Sequence, residues 1–457
     1  MQPSLVVSGG GTKGAFEVGA LEFLTRDADF YPPIMAGTSA GSLICAPLAQ
    51  ARDASHFQEL VGVVRHNALA ITDMSSLFGR QPWLDEISDT PLGDFINQII
   101  SIRTRPAIAT DPDGAADPLT GSDPPRKHRT LFDIGKTIGK SDELVKAGKY
   151  LREIPSAIMN LDPMEAGYRG TSNSGVAAID EDLVAASGIT LRVTISSLSD
   201  GVGRYVTDQG SLVESDSQTP YPAGGTPGVI EGICASASVP IVFPPRRIGD
   251  SFYVDGGVIQ NTPLSAVVDC GAHDVIVLMA SPMSLNHEDT AFDKSSFVSI
   301  YARSAQDMTA QELQRVNLAY PLADGANMTI IAPTVDVLGL FEVEGGLLTM
   351  DFDYGWMRAA EVTAQLSQQD SQRLGKASDT IVQQRERCWF IEDRLLDSGP
   401  TTELVAALRR SREQVIDSVK VWQSAGLPQP QQLPSWGHTW EEYDQDIPKA
   451  LQGLAVI

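Results

Sequence analysis

A serine stands between glycines in Gly37-Thr38-Ser39-Ala40-Gly41, directly after the apolar run Ile34-Met35-Ala36. Gly-x-Ser-x-Gly at a strand end forces its serine onto a sharp strand-to-helix turn, and the small flanking residues let the helix pack close. The hydroxyl then projects into a cleft at a helix N-terminus, where developing negative charge is favoured. A second turn, Gly9-Gly10-Gly11-Thr12-Lys13-Gly14, follows Leu5-Val6-Val7. Its N–H groups, those of Gly10 and Gly11 above all, can face the oxygen of a carbonyl under attack. One such donor is worth roughly 2.7–4 kcal/mol of transition-state stabilisation. Lys13 can steady this loop or add positive potential. A nucleophile and an oxyanion site are the two halves of acyl transfer.

Gly9-x-Gly11-x-x-Gly14 also matches the dinucleotide fingerprint. That reading needs an acid at the end of the second strand, where this chain has Gly37. A pyrophosphate would also compete with the serine turn for the same mouth of the sheet, so acyl transfer is the better reading. A triad would add a histidine. The six are His56, His66, His128, His273, His287 and His438. Helix faces, a basic cluster, a helix-to-strand turn and the tail account for all but His287, which sits in a polar loop. The stronger candidate base is Asp255, which ends the apolar run Phe252-Tyr253-Val254 and precedes Gly256-Gly257. A free aspartate, with a pKa of about 3.9, is a poor base for serine at neutral pH. Burial at a strand end raises that value, and direct contact with Ser39 gives general-base catalysis without histidine. Taken alone, Asp-Gly-Gly reads as a hairpin turn.

The elements that must position these groups follow from hydrophobic periodicity. Strands are expected at about 4–8, 34–36, 191–195, 204–207, 252–254, 274–279 and 328–331. Helices are expected from Lys13, from Ser39 to about Arg52, from His56 to about Ala68, near 228–238, from Pro263 with Thr262 as N-cap, over 295–318, and almost throughout from Met357 to Ala425. Residues 103–129, rich in Pro, Asp, Gly and Thr, read as a long loop, and 131–187 as a helical insertion. Strands alternating with helices give an α/β sheet covered on both faces. The chain divides into 1–340, with 103–187 inserted, and a helical extension with an irregular tail over 341–457.

In this order, the motifs resemble those of the patatin-like phospholipases. Gly9, Gly10, Gly11, Thr12, Lys13 and Gly14 are similar to that family's oxyanion loop, with lysine where arginine is more usual. Gly37, Thr38, Ser39, Ala40 and Gly41 are similar to its nucleophile elbow, and Asp255-Gly256-Gly257 to the motif holding its aspartate. The run Ala235-Ser236-Ala237-Ser238-Val239-Pro240-Ile241-Val242-Phe243-Pro244-Pro245, followed by Asn261-Thr262-Pro263, also resembles the family pattern. The resemblance covers about 5–51 and 191–280. It implies a three-layer α/β sandwich with a mostly parallel sheet and a Ser39–Asp255 dyad working through an acyl-enzyme. It implies no cofactor, no catalytic metal, and a phospholipid or other acyl lipid as substrate. A transacylase using the same dyad and a non-catalytic lipid-binding or scaffold protein stand as alternatives.

At 457 residues the chain exceeds one compact core. Its net charge of −24 leaves no basic footprint for nucleic acid and disfavours overall attraction to anionic lipid. No run approaches 18 apolar residues, and no basic segment leads an apolar one at the start. A cytoplasmic location is expected, with peripheral membrane association or non-classical secretion as an effector left open. Leu77-Phe78 and Trp83 are candidates to dip into a lipid surface, against a reading as ordinary packing. Four scattered cysteines lack metal spacing. The oligomeric state is left open.

Overall fold

The computed structural model describes residues 2–27, 29–71, 74–81, 83, 157–172, 176–285, 300, 302–364, 366–398 and 401–430. Five strands form the parallel body of the sheet: β1 (Ser4–Val7), β2 (Ile34–Thr38), β5 (Thr190–Ser197), β10 (Val275–Leu278) and β11 (Met328–Ile331). Their order is β11-β10-β1-β2-β5. β1 and β10 are buried at every residue, as a parallel sheet covered on both faces requires. Side chains alternate between the faces. Leu5, Val7 and Met35 enter one core with Phe16, Ile44, Ile233 and Phe352, while Val6, Ala36 and Val277 enter a second with Leu264 and Val267. Two cores on one sheet make a three-layer α/β sandwich.

Beyond β5 the sheet turns antiparallel. Strands β6 (Gly203–Thr207), β7 (Leu212–Val213), β8 (Arg246–Ile248) and β9 (Ser251–Asp255) close this end. The register on β5 decides the site. Thr194 pairs with both Thr38 and Tyr205, so β2 and β6 lie on opposite edges. Ile195 pairs with both Arg204 and Asp255, so β9 takes the same edge as β2. The last residue of β2 and the last of β9 therefore meet end to end on that edge. A separate two-stranded pair, β3 (Gly79–Arg80) with β4 (Met159–Asn160), lies outside the sheet.

Helices α1 (Gly14–Thr25), α2 (Ala40–Leu48), α3 (Ala54–Ala70), α4 (Asp162–Tyr168), α5 (Glu181–Ala186), α6 (Val229–Ser236), α7 (Leu264–Asp269) and α8 (Thr309–Leu318) lead to a helical end of α9 (Gly345–Thr363), α10 (Gln368–Ser398) and α11 (Thr402–Ser424). α9 belongs to the core. A Cβ on Gly355 would sit 1.8 Å from the Phe16 carbonyl oxygen, and one on Gly19 would sit 1.9 Å from that of Phe352. Paired glycines thus let the backbones of α1 and α9 touch. Phe16 and Tyr354 meet edge-on at 5.3 Å, and Phe23 and Trp356 at 5.5 Å.

Several boundaries differ from the sequence reading. α2 stops at Leu48, not Arg52, with Pro47 in its last turn. α3 opens earlier than His56 because the Asp53 side chain caps it by accepting the His56 N–H at 2.8 Å. Thr262 is not the cap of α7. Its hydroxyl is buried without a hydrogen-bond partner, and its carbonyl accepts the Leu264 N–H instead. The described part of 295–318 is a π-helical turn, Ala302–Met308, running into α8. α9 begins twelve residues before Met357 (357 − 345), on Gly345 and Gly346. Gly346 is there because a Cβ would lie 2.4 Å from the Trp389 ring. The expected loop over 103–129, most of the expected insertion and the end of the tail lie outside the described residues; the described part of the insertion is β4, α4 and α5.

Candidate active site

Ser39 is the hinge between β2 and α2. Its φ of 51° and ψ of −124° lie in the strained region that costs a non-glycine residue about 1–3 kcal/mol and that clusters at functional sites. Its neighbours permit this. A Cβ on Gly37 would lie 2.4 Å from the Gly41 carbonyl oxygen, and one on Gly41 would lie 2.2 Å from that of Val7. The Ser39 N–H donates to Ser236 Oγ at 2.9 Å, and Ser42 caps the Ser39 carbonyl with its hydroxyl at 2.6 Å. Thr38 is tied by its hydroxyl to the Gln260 carbonyl at 2.9 Å. Ala40 opens α2 beneath the serine.

Asp255 arrives at the same place from β9. Its Oδ1 accepts the Gly257 N–H at 2.6 Å, and its Oδ2 is buried with no hydrogen bond. Burial pushes its pKa up to about 6, against the opposing pull of the Ser39 hydroxyl and the Gly257 N–H. The hydroxyl thus stands close enough to Asp255 to favour its anion. Gly256 is required by contact, since a Cβ would come within 2.4 Å of the Thr194 carbonyl oxygen.

The glycine turn lies opposite. Gly9 exchanges two hydrogen bonds with Asn261: its N–H donates to the Asn261 carbonyl at 3.1 Å, and Asn261 Nδ2 donates to the Gly9 carbonyl at 3.1 Å. A Cβ on Gly9 would come 3.1 Å from that of Ser39. Thr12 and Lys13 N–H groups are used, by the carbonyls of Leu340 and Gly10. Among the described residues those of Gly10 and Gly11 have no acceptor. Lys13 is ion-paired to Asp336 at 2.8 Å, so it ties the loop down rather than standing free. Behind the turn, Glu17 Oε1 accepts both the N–H and the hydroxyl of Ser8 at 2.9 Å, and burial raises its pKa well above the usual carboxylate range.

These groups share a cavity of 1490 Å³. That exceeds the roughly 300–1,000 Å³ typical of small-molecule sites and suits a molecule with long chains. Ser39, Asp255 and the Gly9–Gly14 turn lie on its wall, which continues apolar through Ile44, Val64, Tyr168 and Phe243. Leu77 and Phe78 also line it, the Phe78 ring 4.8 Å from that of Phe243, and Trp83 is held by an indole hydrogen bond to the Ala157 carbonyl at 3.2 Å. Both rings pack against the core, which favours the packing reading of these residues over the lipid-dipping one. His56, His66 and His273 do not line the cavity; His128, His287 and His438 lie outside the described residues. Among the described residues no cluster of three or more His, Cys, Asp or Glu could hold a metal, and no helix is long and apolar enough to cross a membrane.

The family model for patatin-like phospholipases matches residues 5–268. The chain belongs to the patatin-like phospholipase family. The match spans the Gly9–Gly14 turn, the Ser39 elbow and Asp255-Gly256-Gly257, and it ends within α7. Solved structures similar to the chain include VipD from Legionella pneumophila, at 12% identity over 99% of this chain and 88% of that one with a TM-score of 0.29. Another is the heterodimeric ExoU–SpcU complex of the type III secretion system of Pseudomonas aeruginosa, at 16% identity over 100% and 85% with a TM-score of 0.22. No curated protein matches the chain. Sequence reasoning had not singled out Ser236 and Asn261 as site residues, although both sit in runs that carry the family pattern. It had no signal for the contacts from 336–342.

Proposed function

We propose that this patatin-like protein is a serine lipid acyl hydrolase of the phospholipase A type, working through a Ser39–Asp255 dyad. The observation that carries the reading is the meeting on one apolar cavity of the Ser39 hydroxyl, the buried Asp255 Oδ2 that has no partner, and the Gly10 and Gly11 N–H groups that have no acceptor. Asp255 accepts the Ser39 proton as Oγ bonds to the ester carbonyl carbon. The two N–H groups hold the oxyanion of the tetrahedral intermediate. The intermediate expels the alcohol, which takes the proton from Asp255, and an acyl-serine is left. A water then gives its proton to Asp255 and attacks that ester. Ser39 leaves with the proton, and the fatty acid is released. None of these steps calls for a cofactor or metal. The substrate is drawn from a lipid surface by peripheral contact.

The test is hydrolysis of a nitrophenyl butanoate and of a phospholipid panel read by mass spectrometry, with wild type beside Ser39→Ala. Loss of fatty-acid release in the variant supports the assignment. Equal rates sink it.

A further inference from the structure

The turn that presents Gly10 and Gly11 is held by a strap from beyond the family match. The strap runs from Asp336 to Glu342 and begins 68 residues after the match ends (336 − 268). Its Leu340 carbonyl accepts the Thr12 N–H at 3.0 Å. The Thr12 hydroxyl donates to the Gly339 carbonyl at 2.6 Å and accepts the Glu342 N–H at 3.2 Å. Asp336 takes Lys13 at 2.8 Å. Gly11, at φ 58°, fits only without a side chain, since a Cβ would lie 2.1 Å from the Leu340 carbonyl oxygen. The strap is closed on itself by the Gly339 N–H on Glu342 Oε2 at 3.1 Å.

The next side chain along faces the cavity. Phe341 lines the wall, edge-on to Phe243 at 6.4 Å and to Phe78 at 6.5 Å. One peptide unit therefore has its carbonyl on the oxyanion turn and its following ring in the space where the chain of a lipid would lie. Leu338, on the other side of Gly339, is buried in the core and anchors the strap.

We propose that the strap is a positioning device: it holds the Gly10 and Gly11 N–H groups in their donating shape, and an acyl chain packed against Phe341 tightens that hold. The inference rests on the hydrolase reading above and adds a coupling between chain length and turnover. Thr12 and Asp336 are positioning residues that act through the turn, not on substrate.

The experiment uses the full chain as wild type, Thr12→Val, Thr12→Ser and Asp336→Asn. It measures kcat and KM on nitrophenyl butanoate and dodecanoate, with amide hydrogen exchange over residues 10–13. In wild type kcat rises from butanoate to dodecanoate. Thr12→Val lowers dodecanoate kcat by about tenfold or more at little-changed KM, because a displaced donor loses transition-state binding alone. The rise with chain length flattens. Thr12→Ser keeps the hydroxyl and restores both, and Asp336→Asn moves in the direction of Thr12→Val. Exchange at residues 10–13 speeds up in Thr12→Val while the melting temperature holds. Wild-type kcat in Thr12→Val, or equal kcat for both esters in wild type, overturns the proposal. Should wild type cleave neither ester and Ser39 take no fluorophosphonate, the hydrolase reading fails. The exchange data then judge the hold of the strap alone, and unchanged exchange in Thr12→Val overturns it.

Discussion

Replacing Asp255 by asparagine should make the protein more stable at neutral pH while abolishing its activity. The magnitude follows from burial. The carboxyl sits about two units above its ordinary 3.8, at about 6, which corresponds to about 3 kcal/mol at roughly 1.36 kcal/mol per unit. The sign is set by proton counts. Below about pH 4 both native and unfolded chains hold the proton. Between about 4 and 6 the unfolded chain releases it while the native chain keeps it, so native stability falls as pH rises. Above about 6 the native carboxylate is ionised and the full penalty is present. Asparagine does not titrate, and its Oδ1 can still accept the Gly257 N–H that Asp255 accepts at 2.6 Å. All other groups titrate alike in the two proteins and cancel in the difference. The stability of Asp255→Asn relative to wild type should therefore climb by about 3 kcal/mol between pH 4 and 7 and then level off. Urea unfolding of both proteins across this range measures it. The acid limb of wild-type kcat/KM should fall at about the same pH of 6. A flat stability difference, or an activity limb below pH 5, would refute the reasoning.

Two further substitutions probe how the site is held. Ser236→Ala leaves the Ser39 N–H, which donates to Ser236 Oγ at 2.9 Å, buried without an acceptor; a loss of about 1–3 kcal/mol and a lower kcat are expected, by urea midpoint and ester assay. Gly355→Ala places a methyl 1.8 Å from the Phe16 carbonyl oxygen. It should cost about 3 kcal/mol by forcing α1 and α9 apart, and an unchanged urea midpoint would contradict the glycine contact between them.

Much of this was legible in the sequence because it is local. A glycine-flanked serine after an apolar run gives strand, strained turn and helix within a dozen residues, and the structure has all three. Glycine loops and Asp-Gly-Gly announce close approach in the same way. What is not local was not legible. Lys13 could steady its turn or add positive potential, and the partner that decides for steadying, Asp336, lies 323 residues away. Phe78 left lipid dipping and ordinary packing both open, because an apolar residue near a site has the same sequence whichever way it points. The early start of α9 was hidden because Gly345-Gly346 lowers helix propensity, while the contact that demands Gly346, the Trp389 ring, comes from another helix.

The register of β5 explains how two catalytic candidates 216 residues apart (255 − 39) can work without a histidine between them. β2 ends with Thr38 opposite Thr194 and β9 ends with Asp255 opposite Ile195, so Ser39, the residue after Thr38, leaves the sheet beside Asp255. No third side chain has to span a gap. The cost of this arrangement is visible as a strained φ at Ser39, a buried carboxylate oxygen without a partner and two N–H groups without acceptors. A site satisfied at rest would have little left with which to bind the transition state more tightly than the substrate. Proton transfer from Ser39 would satisfy Asp255 Oδ2, and the oxyanion would satisfy Gly10 and Gly11. In the proposed mechanism the unpartnered groups of the resting site would thus be matched to charges that exist only during reaction.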